Sequence, residues 1–243
     1  MKKLLSFLLV FAAVGSVLAQ EEIAKTSAAS KQYRLYREAM SMPTYGLAKV
    51  KGLIKKIKRD KEDNMRLSDK VYGSLTVEER FTYTMIHGED SSQNCDVMMP
   101  VVDEEKKIFS FWPDAFGGES VWSDRQRQSL SNNRTKVIEL LRATMKLRER
   151  AGANIKNAVM ELKANELIPD LIAVYRIKRK DHDILTLLML LMKEGQYPEF
   201  INSASYTKLY GEESNYKGFL EANSANQQLI MDRAMAFYKS LHK

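Results

Sequence analysis

The densest group of reactive side chains lies in residues 87–96, which read HGEDSSQNCD. His87, Glu89 and Asp90 offer one imidazole nitrogen and two carboxylates to a divalent metal ion, and Cys95 or Asp96 would complete the shell. Their spacing matches no established ligand motif. In the alternative interpretation, His87 ends a helix beside the negative end of its dipole, and Gly88 supplies the positive φ that stops it. We favour this structural interpretation and keep the metal site as the alternative.

The single cysteine, Cys95, is also a candidate nucleophile, with His87 or His182 as its base. Reactive cysteines usually lie at a helix N-terminus or beside fixed positive charge. Here the neighbouring residues Glu89, Asp90 and Asp96 are acidic and would raise the pKa of the thiol. The sequence therefore favours a cysteine that behaves as a small hydrophobic residue.

An aromatic loop follows, with Trp112, Phe116 and Trp122 as the candidate ligand-binding residues. Aromatic faces next to flexible glycines can stack on sugar rings or hold an apolar ligand, and Asp114 or Glu119 would orient the ligand's hydroxyl groups. The same rings can instead keep an irregular connection ordered by packing into the core. We favour packing, and binding remains the alternative.

A basic segment lies N-terminal to both groups, and its apolar residues recur at helical spacing from Leu47 to Ile57. This pattern predicts a basic amphipathic helix. Its cations offer a surface to an anionic glycan or a membrane, although a solvated face explains them equally well. The cations are Lys49, Lys51, Lys55, Lys56, Lys58 and Arg59.

The N-terminus has the features of a secretory signal peptide. Lys2 and Lys3 precede an apolar run, and Val17 and Ala19 are small residues suited to positions −3 and −1 of a cleavage site. We predict residues 1–19 as a signal peptide cleaved after Ala19, residues 20–31 as a flexible leader and residues 32–243 as one helical domain. The apolar run is too short to span a membrane, so the mature chain is predicted to be secreted or periplasmic and not transmembrane. Nucleic acid is accordingly not an expected partner.

The rest of the chain predicts helix after helix. Capping boxes at Thr76 with Glu79 and at Ser123 with Gln126 open two helices, and Asp181 is positioned to cap a third that is apolar almost all round. The second helix should be long, with an inward stripe running to Met145. The final helix should bury a face ending at Leu241.

These patterns predict a mainly α fold, an irregular multi-helix bundle with one aromatic-rich insertion at about residues 89–122. Two β-prone runs, residues 100–102 and 108–111, suggest a small β-hairpin within it. A formal charge of +7 is compatible with anionic partners, and one cysteine allows no internal disulfide. We predict an exported non-catalytic protein that binds a partner or ligand, without a cofactor. The alternative is a secreted hydrolase, metal-assisted, centred on His87, Glu89, Asp90 and the aromatic loop.

Overall fold

The computed structural model describes residues 26–92, 101–214 and 218–242. Within these ranges the chain is mainly helical, as predicted, with two short antiparallel sheets. The helices are α1 (Ala28–Glu38), α2 (Leu47–Ile54), α3 (Asp69–Gly73), α4 (Val77–Ile86), α5 (Asp124–Asn132), α6 (Arg134–Arg148), α7 (Ala153–Glu161), α8 (Ile168–Lys178), α9 (His182–Glu194), α10 (Pro198–Ile201), α11 (Ala204–Tyr210) and α12 (Ser224–Ser240). The strands are β1 (Asp90–Ser91), β2 (Lys107–Phe109), β3 (Ser120–Val121) and β4 (Phe219–Glu221).

Helix α9 lies at the centre of the core. Its residues are buried almost all round, and it packs against α7, α8, α12 and strand β2. A helix without a polar face is stable only when other elements cover every side. Its apolar sequence therefore accounts for its central position.

A smaller cluster of buried residues lies beneath α2, α3 and α4, around Val50, Tyr72 and Tyr83. Leu53, Ile54 and Ile57 of the basic segment pack against this cluster. The apolar stripe of that segment is therefore covered by the protein itself. The helical part of the segment is shorter than predicted, because α2 ends at Ile54 and the chain continues as turns.

Two helix boundaries differ from the sequence-based prediction, one in α1 and one between α5 and α6. Helix α1 begins at Ala28, where Ser27 accepts a hydrogen bond from the Ser30 backbone, so the last four residues assigned to the leader are helical. The long helix predicted after Ser123 is two helices. Asn133 separates α5 from α6 with φ −114° and ψ 28°, outside the helical region.

The insertion closes differently from the predicted hairpin. An antiparallel pair does lie within residues 89–122, but it joins β1 to β3 at the two ends of the insertion. The run around Ile108 instead forms β2, which pairs with β4 through Ile108 and Leu220. Residues 104–106 form a 3-10 turn whose first side chain, Glu104, is buried against arginines of α1, so the chain is not free to reverse there. Of the other run, Pro100 lies outside the described residues.

Three local predictions need correction. Gly88 does not have a positive φ, because α4 ends at Ile86 and His87 is already extended. A Cβ on Gly88 would lie 2.9 Å from the Val121 carbonyl oxygen. Glycine at this position therefore allows strand β3 to approach closely. Asp181 precedes α9 but makes no side-chain cap; its carboxylate accepts from Lys156 instead. Leu241 lies just beyond α12 and is 49% exposed.

In the described residues, no helix is both long enough and apolar enough to cross a bilayer.

Candidate functional site

His87 is held as a structural group. Its Nε2 atom lies 2.6 Å from the Met65 carbonyl oxygen, and since a carbonyl only accepts, Nε2 carries the proton. Burial lowers the pKa of His87, and the hydrogen bond to Met65 and the Glu89 carboxylate oppose this only in part. The ring is therefore neutral near pH 7.

Glu89 is fully buried and satisfied by several donors. Arg125 donates to both of its carboxylate oxygens, Tyr83 donates to one at 2.8 Å, and the Ser123 hydroxyl donates to the other. Burial alone would raise the pKa of Glu89, but the hydrogen bonds from Arg125, Ser123 and Tyr83 outweigh it and the net pKa is lowered. The carboxylate links α4 to the start of α5.

Asp90 lies along the same surface depression as His87 and Glu89, but its carboxylate accepts from Arg66 Nε at 2.9 Å. Successive residues of an extended chain point to opposite sides, which places Glu89 inside and Asp90 at the surface. The described residues contain no group of three or more histidine, cysteine or acidic side chains able to hold a metal ion. The structure thus does not bring His87, Glu89 and Asp90 together as ligands; Cys95 and Asp96 lie outside the described residues.

The three candidate aromatic residues do converge. Trp112, Phe116 and Trp122 line one cleft of about 440 Å³ between the insertion, α5, α7 and α9. Its remaining lining comprises Asp114, Val121, Arg127, Asn157, Met160, Glu161, Lys163 and Glu194. Glu119, proposed with Asp114 to orient a ligand, lies instead at a separate depression beside His87 and Gly88.

The two indoles are anchored by hydrogen bonds. Trp122 is 6% exposed and donates through Nε1 to the Thr84 carbonyl oxygen at 2.6 Å. Trp112 is half-buried and donates to Asn157 Oδ1 at 2.6 Å. The Phe116 ring meets the Trp122 ring edge-on, with centroids 6.4 Å apart. The cleft therefore has a rigid aromatic wall and is preformed.

The polar rim of the cleft is built from ion pairs and one amide. Arg127 pairs with Glu161 at 2.5 Å and Lys163 pairs with Glu194 at 2.9 Å. Asn157 accepts from Trp112 through its oxygen, while its amide NH₂ donates to no group in the described part of the chain. Sequence reasoning did not find Asn157 or the rim pairs, because nothing in their local pattern marks them.

A second set of charges, also missed from the sequence, is buried between α1 and α9. Arg37, Glu104, Lys156 and Asp183 are each at most 1% exposed, and Asp181 is 5% exposed. Arg37 contacts both Glu104 and Asp183, and Lys156 Nζ lies 2.7 Å from Asp181 Oδ1. Every charged group in this network has a partner of opposite charge, so we interpret the network as part of the packing that holds the helices together.

The basic segment carries its six cations on the surface. Lys49 pairs with Glu79 at 2.8 Å and Arg59 pairs with Asp63 at 3.7 Å. Nothing in these contacts identifies a partner for the segment.

Comparison of the chain with protein-family models, with curated proteins and with solved structures finds no match.

Proposed function

We propose that this chain is an exported, non-catalytic helical protein whose aromatic cleft binds a saccharide. The observation that carries the proposal is the convergence of Trp112, Phe116 and Trp122 on one cleft that also presents Asn157. Support for export comes from residues 1–19 of the sequence. The intact mass of the mature protein, expected to begin at Gln20, checks that part separately.

A saccharide has apolar C–H faces and a periphery of hydroxyl groups, and the cleft offers a matching surface to each. The half-buried Trp112 ring presents an apolar face for stacking, and the Asn157 amide has donors to spare. The carboxylates of Glu161 and Glu194 can accept from hydroxyl groups while they keep their cations. An apolar ligand fits less well, because covering the rim would take two ion pairs out of water.

Two observations favour binding over the hydrolase alternative. His87, Glu89 and Asp90 each have a structural partner, which is Met65, Arg125 and Arg66 respectively. In the cleft itself, Glu161 and Glu194 are ion-paired. These partners occupy the groups that a hydrolase would need as its acid and its base, which supports binding over hydrolysis.

The experiment uses the intrinsic fluorescence of the chain. The protein has two tryptophans, and both line the cleft, so their emission reports on that site alone. A panel of neutral mono- and oligosaccharides is titrated into the chain beginning at Gln20, with calorimetry in parallel and hydrolysis products assayed. We expect at least one sugar to change the emission and release heat while no sugar is hydrolysed.

The matched variants are Asn157→Asp and Asn132→Ala. Asn157→Asp keeps an oxygen to accept from Trp112 and removes the amide donors, so affinity should fall about tenfold with the fold intact. Asn132 lies exposed at the end of α5, outside the cleft lining, so Asn132→Ala should leave affinity unchanged, and Asn132→Asp makes the same chemical change as Asn157→Asp away from the cleft. A panel without any binder, equal affinity in Asn157→Asp, or turnover of a bound sugar would each contradict the proposal.

A further inference from the structure

The C-terminal ends of α6 and α8 lie side by side. Arg142 pairs with Asp170 at 2.9 Å, and about two turns further on Glu149 pairs with Lys178 at 3.4 Å. Since the earlier residues of both helices pair with each other and the later residues do the same, the helices run in the same direction. Their last turns therefore reach the surface together.

This shared end is strongly basic. Its cations are all exposed, and Glu149 is the one acidic residue in the two stretches 146–149 and 176–180. Within the described part of the chain five of them, Lys146, Arg148, Arg176, Arg179 and Lys180, form no ion pair. Arg148 donates to the Met42 carbonyl oxygen at 2.9 Å, and Lys180 lies 5.2 Å from the centre of the Tyr36 ring. The six cations of the α6–α8 basic end are Lys146, Arg148, Arg176, Lys178, Arg179 and Lys180.

An exposed aliphatic side chain lies in the last turn of each of these two helices. Leu147 is 60% exposed and Ile177 is 52% exposed, and each stands between two basic residues in the motifs Lys-Leu-Arg and Arg-Ile-Lys. Cations at a helix C-terminus offset the helix dipole, which accounts for the basic residues. The helix dipole does not account for the exposure of an aliphatic side chain between two cations in each helix. Exposed apolar groups surrounded by charged residues are typical of a contact surface.

We propose that the α6–α8 basic end binds the surface of a bilayer that contains anionic phospholipids. The cations that form no ion pair contact headgroup phosphates, and Leu147 and Ile177 insert at the boundary between headgroups and acyl chains. A bilayer surface presents negative charge and apolar groups together, which is the combination that this surface complements. An acidic protein segment would pair with the cations but would leave the two aliphatic side chains exposed to water.

The basic segment at residues 49–59 lacks this combination. Its apolar residues pack against the protein, and Lys49 and Arg59 have acidic partners. It therefore serves as a charge-matched control surface. The proposal is independent of the saccharide cleft, because no residue is shared between the two surfaces.

Co-sedimentation with vesicles tests the proposal. The chain from Gln20 is mixed with vesicles of phosphatidylcholine alone, or of equal parts phosphatidylcholine and phosphatidylglycerol. We expect binding to the anionic vesicles only, with the partition coefficient falling as salt is added. Lys146→Gln/Arg176→Gln/Lys180→Gln should lower the coefficient about 100-fold, and Leu147→Ser/Ile177→Ser about tenfold.

Two control variants match the number and type of changes. Lys51→Gln/Lys55→Gln/Lys58→Gln removes three cations from the basic segment, and Leu229→Ser/Leu241→Ser removes two exposed leucines within and just after α12. The first should lower binding far less than the α6–α8 charge variant, and the second should leave it unchanged. The proposal would be overturned if the chain bound neutral vesicles equally well or bound neither kind. It would also be overturned if a control variant lowered the partition coefficient as much as its test variant, or if the Leu147 and Ile177 changes left the coefficient unchanged. The salt titration of the unaltered chain decides the electrostatic part if a variant misfolds.

Discussion

Arg37 in α1 donates through Nε to both carboxylate oxygens of Asp183 in α9, each at 3.0 Å. The same guanidinium donates to Glu104 at 2.7 Å and to the Phe111 carbonyl oxygen at 3.1 Å, and it lies 4.5 Å from the centre of the Phe109 ring. Burial lowers the pKa of Arg37, but the two carboxylates outweigh it and the net pKa is raised. This residue therefore joins α1 and the insertion to the central helix.

Removing this guanidinium should strongly destabilise the fold. In Arg37→Met the two buried carboxylates lose their shared cation, so we expect the free energy of unfolding to fall by about 3–5 kcal/mol. Urea denaturation monitored by circular dichroism measures the change. The control is Arg142→Met, which removes a surface arginine paired with Asp170 and should cost about 0–1 kcal/mol. Similar costs for both would show that burial of the Arg37 network is not important for stability.

The two tryptophans should differ in their contribution to stability. Trp122 is nearly fully buried, so Trp122→Ala should cost about 3–5 kcal/mol through lost burial and a residual cavity. Trp112 is half-buried at the cleft and should cost clearly less, while its loss abolishes the fluorescence response to sugar. Thermal unfolding of the two variants side by side measures this order. A larger loss at Trp112 would contradict the cleft described above.

Gly152 and Gly52 should respond in opposite ways to replacement by alanine, because one is closely packed and the other is not. At Gly152 a Cβ would lie 2.2 Å from the Ser41 backbone nitrogen, so Gly152→Ala should destabilise the fold by about 1–3 kcal/mol or more. At Gly52, within α2, a Cβ would meet nothing within 4 Å, and Gly52→Ala should stabilise by about 0.5–1 kcal/mol. We expect the denaturation midpoint to fall in Gly152→Ala and to rise in Gly52→Ala, relative to the unaltered protein. A tolerated Gly152→Ala would mean that residues 39–41 can move away.

Acidification should weaken the fold through two histidines. Burial is the largest cause that lowers the pKa of His87 and of His182, so the unfolded chain binds more protons than the native state once the pH falls below the ordinary histidine pKa of about 6.5. Their contribution is therefore present above about pH 6.5 and is lost as the pH falls through the lower native values. We expect the melting temperature to drop between pH 7 and pH 5, and to drop less in His87→Asn/His182→Asn. An equal drop would assign the effect to other groups.

Local patterns in the sequence were sufficient for most of the helices. Thr76 and Glu79 form the predicted capping box, and the uninterrupted apolar run after Asp181 is the buried central helix. The three aromatic residues that the sequence singled out, with binding as the alternative to packing, also line one cleft. Capping and periodicity act between residues a few positions apart, so a short stretch of sequence contains the information that decides them.

Only the tertiary structure decided which distant groups meet. Ile108 pairs with Leu220, Arg37 binds Asp183, and Asn157 faces the Trp112 indole, across separations of 112, 146 and 45 positions. His87 and Asp90, neighbours in the sequence, point to different partners for the same reason. Partner choice between distant residues depends on how whole helices pack, and many alternative packings satisfy the same local pattern of apolar and polar residues.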